Sequence, residues 1–507
     1  MQTNLLEYLE ATVKRVPEKT AFSNGAENLS FREVYDQSRA IGSALAAGGL
    51  YREPVVVFME RHPRAVAAFL GVLYAGCFYV PIDQEMPRHR IRLIFDSLNP
   101  RAVLCDAHTA RSLEEFAWTG RTYRYEELSA AAADEPALAS IRRRALDVDP
   151  AYIVFTSGST GVPKGVAACH RSVIDYIENL SHVLKFGEDT VFGNQTPLYF
   201  DACLKEIYPA LKFGATAYLI PKELFMLPVK LVEYLNRYRI NTVCWVVSAL
   251  TIVSGLGTFA QVKPEYLRTV AFGSEVFPIK QFNLWRETLP QARFINLYGP
   301  TEATGMSCYY EVDQAFGPED VIPIGQPFRN TEILLLDEEN RPAAPGEPGE
   351  ICIRGTAVTL GYYNDPEKTR EAFVQNPLNS AYPELIYRTG DLARYDRQGR
   401  LIFLSRKDYQ IKHMGHRIEL GEIELMVNLM DEIRQACCVY DDIKNKIILY
   451  YTGNAEPALV AAYTKDKLPR YMVPNSFRPL EAFPLTPNGK IDRKMVKEMA
   501  QAKPPCR

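Results

Sequence analysis

Short apolar, β-branched runs alternate with amphipathic, helix-compatible stretches through the first three hundred residues. That alternation restricts the chain to an α/β fold with mostly parallel sheets. The spacing predicts strands at 54–59, 78–80, 102–105, 152–155, 215–220, 242–247, 269–272 and 293–297. It predicts helices near 173–183, 204–211, 229–238 and 280–288, and another that opens at the capping box Ser30-x-x-Glu33 and stops at Gly48-Gly49. From Ile322 onward the strands shorten and turn residues multiply, as expected of a β-rich subdomain. After Arg406-Lys407-Asp408 the last hundred residues read as a small α+β unit. The expected division is a large multi-layer N-terminal domain, 1–407, and a small C-terminal domain, 408–507.

At 507 residues the chain is too long for one core, and 47% hydrophobic with 23% charged residues is ordinary for a globular protein. A net charge of -3 gives no global attraction to nucleic acid or to an anionic membrane. The ten cysteines are scattered without a CxxC pair, which suggests neither a disulfide framework nor a zinc site and fits a reducing, cytoplasmic setting. The N-terminus lacks the basic-then-apolar layout of a signal peptide. Residues 65–82 carry no charge and approach the length of a membrane span, but Gly71, Gly76 and Pro81 punctuate them. The expected parse is a buried helix, a glycine turn and a short buried strand, so no membrane span is expected.

The densest chemistry sits where the apolar run Tyr152-Ile153-Val154-Phe155 empties into Thr156, Ser157, Gly158, Ser159, Thr160 and Gly161, then reaches Lys164. Glycines free backbone N–H groups to face an anion and the hydroxyls add donors, so the stretch reads as a phosphate cradle. It is not a Walker A loop, because Pro163 and Gly165 flank the lysine where that motif continues as a helix. Further on, Asn296-Leu297-Tyr298-Gly299-Pro300-Thr301-Glu302 puts an aromatic ring and a carboxylate at the end of a predicted strand, the end that faces the ligand crevice in a parallel sheet. Tyr298 suits a flat heterocycle and Glu302 a hard cation such as Mg²⁺; a plain turn opening a helix fits the same letters. Asp391, in Thr389-Gly390-Asp391, is a candidate acceptor for sugar hydroxyls and Arg406 a donor to them, although such residues are also common in turns and solvated faces. Lys490 follows an Asn-Gly turn, where it projects from a loop or simply tips a hairpin.

Taken in this order, and with Leu73-Tyr74-Ala75-Gly76 and Tyr79-Val80-Pro81-Ile82-Asp83 before them, these stretches resemble the adenylate-forming superfamily along essentially the whole chain. Within it the chain resembles the amino-acid adenylation domains of nonribosomal peptide synthetases and the related D-alanine–carrier protein ligases. The resemblance implies an enzyme that uses ATP and Mg²⁺ to make an aminoacyl-AMP, then passes the acyl group to the phosphopantetheine thiol of a carrier protein. It implies that the loop from Thr156 to Lys164 covers the β- and γ-phosphates. Gly273, Ser274 and Glu275 would line the adenine and substrate pockets, Tyr298 pack on adenine, and Asp391 and Arg406 hold the ribose. Thr301 and Glu302 would act at the reacting centre with Glu302 on Mg²⁺, and Lys490 would bridge carboxylate, ribose and α-phosphate. Asp408 would be the hinge of a mobile C-terminal lid. Because the sequence ends soon after Lys490, the resemblance is to a free-standing enzyme. An acyl- or aryl-CoA ligase on the same fold and a silent nucleotide-binding scaffold are the alternatives.

Asp201 matches the position where the family receives a substrate α-ammonium, which favours an amino acid over an aryl or fatty acid. Aligned by motif, the pocket would be lined by Asp201, Ala202, Lys205, Trp245, Ala271, Gly273, Leu297, Gly305 and Met306, with Lys490. A Lys205 ammonium inside it would be left unpaired by a neutral side chain, so an acidic substrate, Glu or Asp, is expected. Pairing of Lys205 with Asp201 at i, i+4 is the competing reading, and Trp245 leaves Ala or Ser open. The segment from Asp408 onward carries 15 Lys and Arg against 13 Asp and Glu, weakly suited to an acidic carrier protein.

Overall fold

The computed structural model describes residues 2–116, 118–158, 161–317, 320–407, 410–484 and 491–501. It divides into two compact units. One holds Met1–Gln84, Leu98–Val154 and Gly165–Lys407; the other holds Glu85–Ser97, Phe155–Lys164 and Asp408–Arg507.

The first unit contains a nine-stranded sheet whose centre is parallel. Val191–Asn194, Thr242–Val246, Thr269–Gly273 and Arg293–Tyr298 lie side by side, with Cys244 opposite Ala271 and Ala271 opposite Ile295. These strands are buried on both faces, which explains their unbroken apolar sequences. Alternate residues supply two cores. Cys244, Ala271, Ile295 and Leu297 face the core that includes residues of the helices His170–Leu184 and Leu204–Phe213. Trp245, Phe272 and Phe294 face the other, built with Pro228–Arg237, Val247–Gly255 and Ile279–Thr288.

A six-stranded sheet in the order Arg121–Arg124, Ala102–Cys105, Pro54–Phe58, Phe78–Ile82, Pro150–Thr156, Lys164–Cys169 forms a second layer. The uncharged segment resolves as expected into the buried helix Pro63–Tyr74, a turn at Gly76 (φ +68°) and the strand Phe78–Ile82. That helix packs on Phe31–Ala47, whose Ser30–Glu33 capping box is formed. The two helices approach so closely that a Cβ on Gly71 would lie 2.5 Å from Ile41 Cγ2. Among the described residues no helix is long and apolar enough to cross a membrane. The β-rich part is a five-stranded antiparallel sheet of Thr331–Leu336, Gly349–Gly355, Phe373–Gln375, Leu385–Tyr395 and Leu401–Arg406.

The second unit is α+β: a hairpin of Gln410–His413 and His416–Glu419, a three-stranded sheet of Ile433–Asp441, Lys446–Gly453 and Ser476–Pro479, and the helices Leu420–Val427, Pro457–Lys467 and Arg493–Gln501. A division at 407/408 leaves residues 85–97 and 155–164 with the large domain, whereas here they group with this unit. Glu422 accounts for both: it accepts a buried ion pair from Arg90 at 2.6 Å and a hydrogen bond from Gly158 N–H at 3.2 Å.

Candidate active site

In the first unit, the end of the strand Arg293–Tyr298 delivers Tyr298 to Asp391. The phenol donates to Asp391 Oδ2 at 2.6 Å, and Arg406 Nη1 donates to Oδ1 at 2.5 Å. Asp391 and Arg406 are register partners on adjacent antiparallel strands, and Thr389, inside the strand Leu385–Tyr395 where its register with Gly349–Gly355 shifts, donates its hydroxyl to Ile351 O and accepts from Asp391 N–H. Burial and the Asp391 carboxylate hold the Tyr298 phenol protonated far above its ordinary range. The three residues read separately from sequence as an aromatic platform and two sugar contacts therefore form one cluster.

After Tyr298 the chain reverses tightly. A Cβ on Gly299 would lie 2.5 Å from Gly305 O, Thr301–Ala303 form a 3₁₀ turn, and Thr304 is left-handed at φ 53°. The turn buries Glu302 completely, where Oε1 accepts the Tyr362 hydroxyl at 2.8 Å. It also brings the Thr301 hydroxyl to Asp201. Asp201 is buried, and burial pushes its carboxyl up to about 6, with Glu302 adding to the rise while Thr301 and Lys205 oppose it.

Lys205 stands in the first turn of Leu204–Phe213 and is 2% exposed. Among the described residues its ammonium has no carboxylate within 4.0 Å, so the expected competitor, an ion pair with Asp201, is not formed. Ala271, Gly273, Leu297 and Met306 lie on the sheet face or turn that meets this helix. Gly273 is needed there, since a Cβ would come 2.3 Å from Leu297 O. Gly305, at φ 94°, sits under the Tyr176 ring. Ala202 follows Asp201 in the 3₁₀ turn Asp201–Cys203 that leads into this helix.

Trp245 is a correction. Its indole lies on the opposite sheet face, fully buried against Phe225, with Nε1 donating to Gly193 O at 2.7 Å. It therefore does not narrow the pocket. Side chains alternate along a strand, so the position that shares a face with Ala271 is Cys244, which sequence reasoning missed; the register of the neighbouring strands is the signal that finds it. Glu275 serves the fold, since its Oε2 accepts Ser248 N–H at 2.8 Å at the start of Val247–Gly255, beside the left-handed Ser274 (φ 69°). Glu206, fully buried beside Lys205, was also missed.

In the second unit, the hydroxyl-rich loop leaves a strand end, and Lys164 opens the strand Lys164–Cys169, not a helix, as its flanking Pro163 and Gly165 require. Ser157 Oγ donates to Arg417 O at 2.8 Å, Gly158 N–H to Glu422, and Lys164 Nζ stands 3.8 Å from Glu419 Oε1. Thr156 Oγ1 is buried with no hydrogen-bond partner among the described residues, and Gly161 takes φ 79°. Gly158 N–H and Lys164 thus already face carboxylate oxygens, the type of acceptor that a phosphate would replace, and Ser157 a backbone carbonyl. Ser159, Thr160, Asp408 and Lys490 lie outside the described residues.

A family model described as an AMP-binding enzyme matches residues 9–363. The chain belongs to the AMP-binding enzymes. Bacitracin synthase 1 of Bacillus licheniformis is 32% identical over 500 residues, covering 97% of this chain and 9% of that protein. The chain thus spans about a tenth of that relative's length. A solved NRPS protein containing adenylation and PCP domains, holo-PA1221, superposes at TM-score 0.82 with 25% identity, covering 97% of this chain and 84% of that one. The Vibrio cholerae adenylation domain AlmE, in complex with glycyl-adenosine-5'-phosphate, shares the fold at TM-score 0.85 and 21% identity, covering 99% and 98% of the two chains. The relatives it matches in sequence are nonribosomal peptide synthetases.

Proposed function

We propose that this AMP-binding enzyme activates an amino acid with an acidic side chain as its aminoacyl-AMP and passes it to a phosphopantetheinyl thiol on a carrier protein. The observation that carries the reading is the burial of Asp201 and Lys205, without an ion pair between them, at the start of one helix. An α-ammonium satisfies the first and a side-chain carboxylate the second. An acyl- or aryl-CoA ligase would have no counter-charge for Asp201.

The substrate carboxylate is itself the nucleophile, attacking the α-phosphorus of ATP as pyrophosphate departs, so the protein supplies position and positive charge. Tyr298, Asp391 and Arg406 hold the nucleoside: one ring face for adenine and one charged pair for the ribose hydroxyls. Gly158, Lys164 and the hydroxyls around them receive the β- and γ-phosphates. Glu302 fits Mg²⁺, because this ion is usually bound by one or two carboxylates together with substrate phosphates, and Glu302 is a single buried carboxylate next to Thr301. When bound, Mg²⁺ neutralises phosphate charge. Lys490 supplies the charge between the reacting carboxylate and the α-phosphate, Thr301 orients Asp201, and Asp408 is the hinge on which residues 408–507 change role between adenylation and thiol transfer.

The carrier-protein step draws on holo-PA1221, whose adenylation domain is accompanied by a PCP domain, and the aminoacyl adenylate draws on AlmE with its glycyl adenylate. Amino-acid-dependent ATP–pyrophosphate exchange, screened over the proteinogenic amino acids and several aryl acids, tests the reading. Exchange with aryl acids alone would sink it.

A further inference from the structure

Glu206 adjoins Lys205 on the helix Leu204–Phe213, yet it is fully buried and serves no part of the reaction described above. Its Oε2 accepts a hydrogen bond from Asn194 Nδ2 at 3.2 Å, and its buried Oε1 has no donor among the described residues. The nearby cation does not supply one: Arg61 directs its fork to Asn194 O and Oδ1, each at 2.5 Å, and to Ile220 O. Nor does Lys205 approach within ion-pair distance. An ionised carboxylate this deep needs donors on both oxygens, and leaving one bare costs more than leaving a neutral acid half-satisfied.

We propose that Glu206 is a specificity-determining residue of the amino-acid pocket, held as a neutral acid so that the Lys205 ammonium is left for the substrate's side-chain carboxylate. The proposal rests on the reading of Lys205 as a pocket residue.

The surroundings agree. The groups that act on Glu206 are Lys205 on its own helix, Arg61 after the strand Pro54–Phe58 and Asn194 at the end of its strand, and its charge in turn would push up the thiols of Cys203 before the helix and Cys244 on the central sheet and the phenol of Tyr176 on His170–Leu184. Burial pushes the Glu206 carboxyl up to about 8, against the pull of Lys205, Asn194 and Arg61. Below that pH the group is neutral, and down to about pH 6, where Asp201 titrates, Asp201 with Lys205 presents one charge for each end of an acidic amino acid. Above about pH 8 Glu206 ionises beside Lys205, repels the substrate carboxylate and weakens its binding.

The test is the ratio of kcat/KM for the preferred acidic amino acid to that for its side-chain amide, followed from about pH 7 to about pH 9 by pyrophosphate exchange. Taking the ratio cancels titration of the α-amino group. The wild-type ratio should fall about tenfold or more as an opposing charge appears in the buried pocket, and the fall should vanish in Glu206→Gln. Glu206→Met, of similar volume and with no proton to lose, should behave likewise and replaces Gln if that variant does not fold. If neither folds, an isotope-edited infrared carboxylic-acid band that fades through about pH 8 in the wild type supports the proposal, and its absence overturns it. A variant whose ratio falls as the wild type's does, or a flat wild-type ratio, also overturns it. If Lys205→Gln abolishes the acidic preference while Glu206→Gln keeps the wild-type pH profile, only the Glu206 proposal fails. If no acidic amino acid is activated at any pH, both readings fail together.

Discussion

Tyr298 donates its hydroxyl hydrogen to Asp391 Oδ2 across 2.6 Å, joining the end of a parallel strand to the antiparallel sheet of the β-rich part. The same carboxylate takes Arg406 on its other oxygen, so one buried group orients two residues that would meet the nucleoside.

Tyr298→Phe removes one donor and leaves Asp391 Oδ2 short of a partner in a buried site, a loss of about 1–3 kcal/mol. The expected result is a urea midpoint shifted down by that free energy divided by the m-value and a KM for ATP raised about tenfold, with kcat changed much less, because the nucleoside contact serves ground and transition states alike. A drop in kcat at unchanged KM would show that the hydroxyl acts on the reacting centre.

Lys490→Ala separates the two half-reactions. Pyrophosphate exchange should fall by about a thousandfold, the scale of losing one preorganised charge, while thioester formation from supplied aminoacyl-AMP stays within a few-fold of wild type. Equal loss of both would remove Lys490 from its assigned step.

His170 sets an acid limit on stability. It is buried, its Nδ1 accepts Leu5 N–H at 3.3 Å, and burial lowers its pKa to about 4. Unfolded, the imidazole returns to about 6.5, so in that window the unfolded chain binds more protons and stability rises with pH. Its contribution is fully present above about pH 6.5, falls away on acidification and reaches about 3 kcal/mol lost near pH 4. Urea unfolding at several pH values should show this slope and His170→Gln should flatten it; an identical slope in the variant would place the acid sensitivity elsewhere.

Much of this was legible in the sequence. Ser30 and Glu33 marked a helix start that forms as written, and Gly76 divided the uncharged segment where the chain divides it, while Gly71 is a close contact inside the helix. Tyr298, Asp391 and Arg406 were each readable, though 93 residues separate the first two, and only the sheet pairing brings them together. Trp245 was misplaced for a physical reason: a parallel strand buried on both faces has no polar alternation, so its letters do not say which side chain faces which core. Cys244 stayed hidden for the same reason, whereas Glu206 lies on the helix Leu204–Phe213, where a charged letter reads as solvent-facing. The grouping of residues 155–164 with the second unit goes with Ser157, Gly158 and Lys164 meeting Arg417, Glu422 and Glu419, far away in sequence, and no local pattern announces it.

The central claim is that the pocket selects an acidic amino acid through Lys205. Amino-acid-dependent ATP–pyrophosphate exchange with wild type and Lys205→Gln tests it most directly. The wild type should exchange fastest with glutamate or aspartate, and the variant should lose about two orders of magnitude in kcat/KM for that substrate, as a buried charge pair is removed, while losing little for its amide. Fastest exchange with a neutral amino acid, unchanged by Lys205→Gln, would contradict the account.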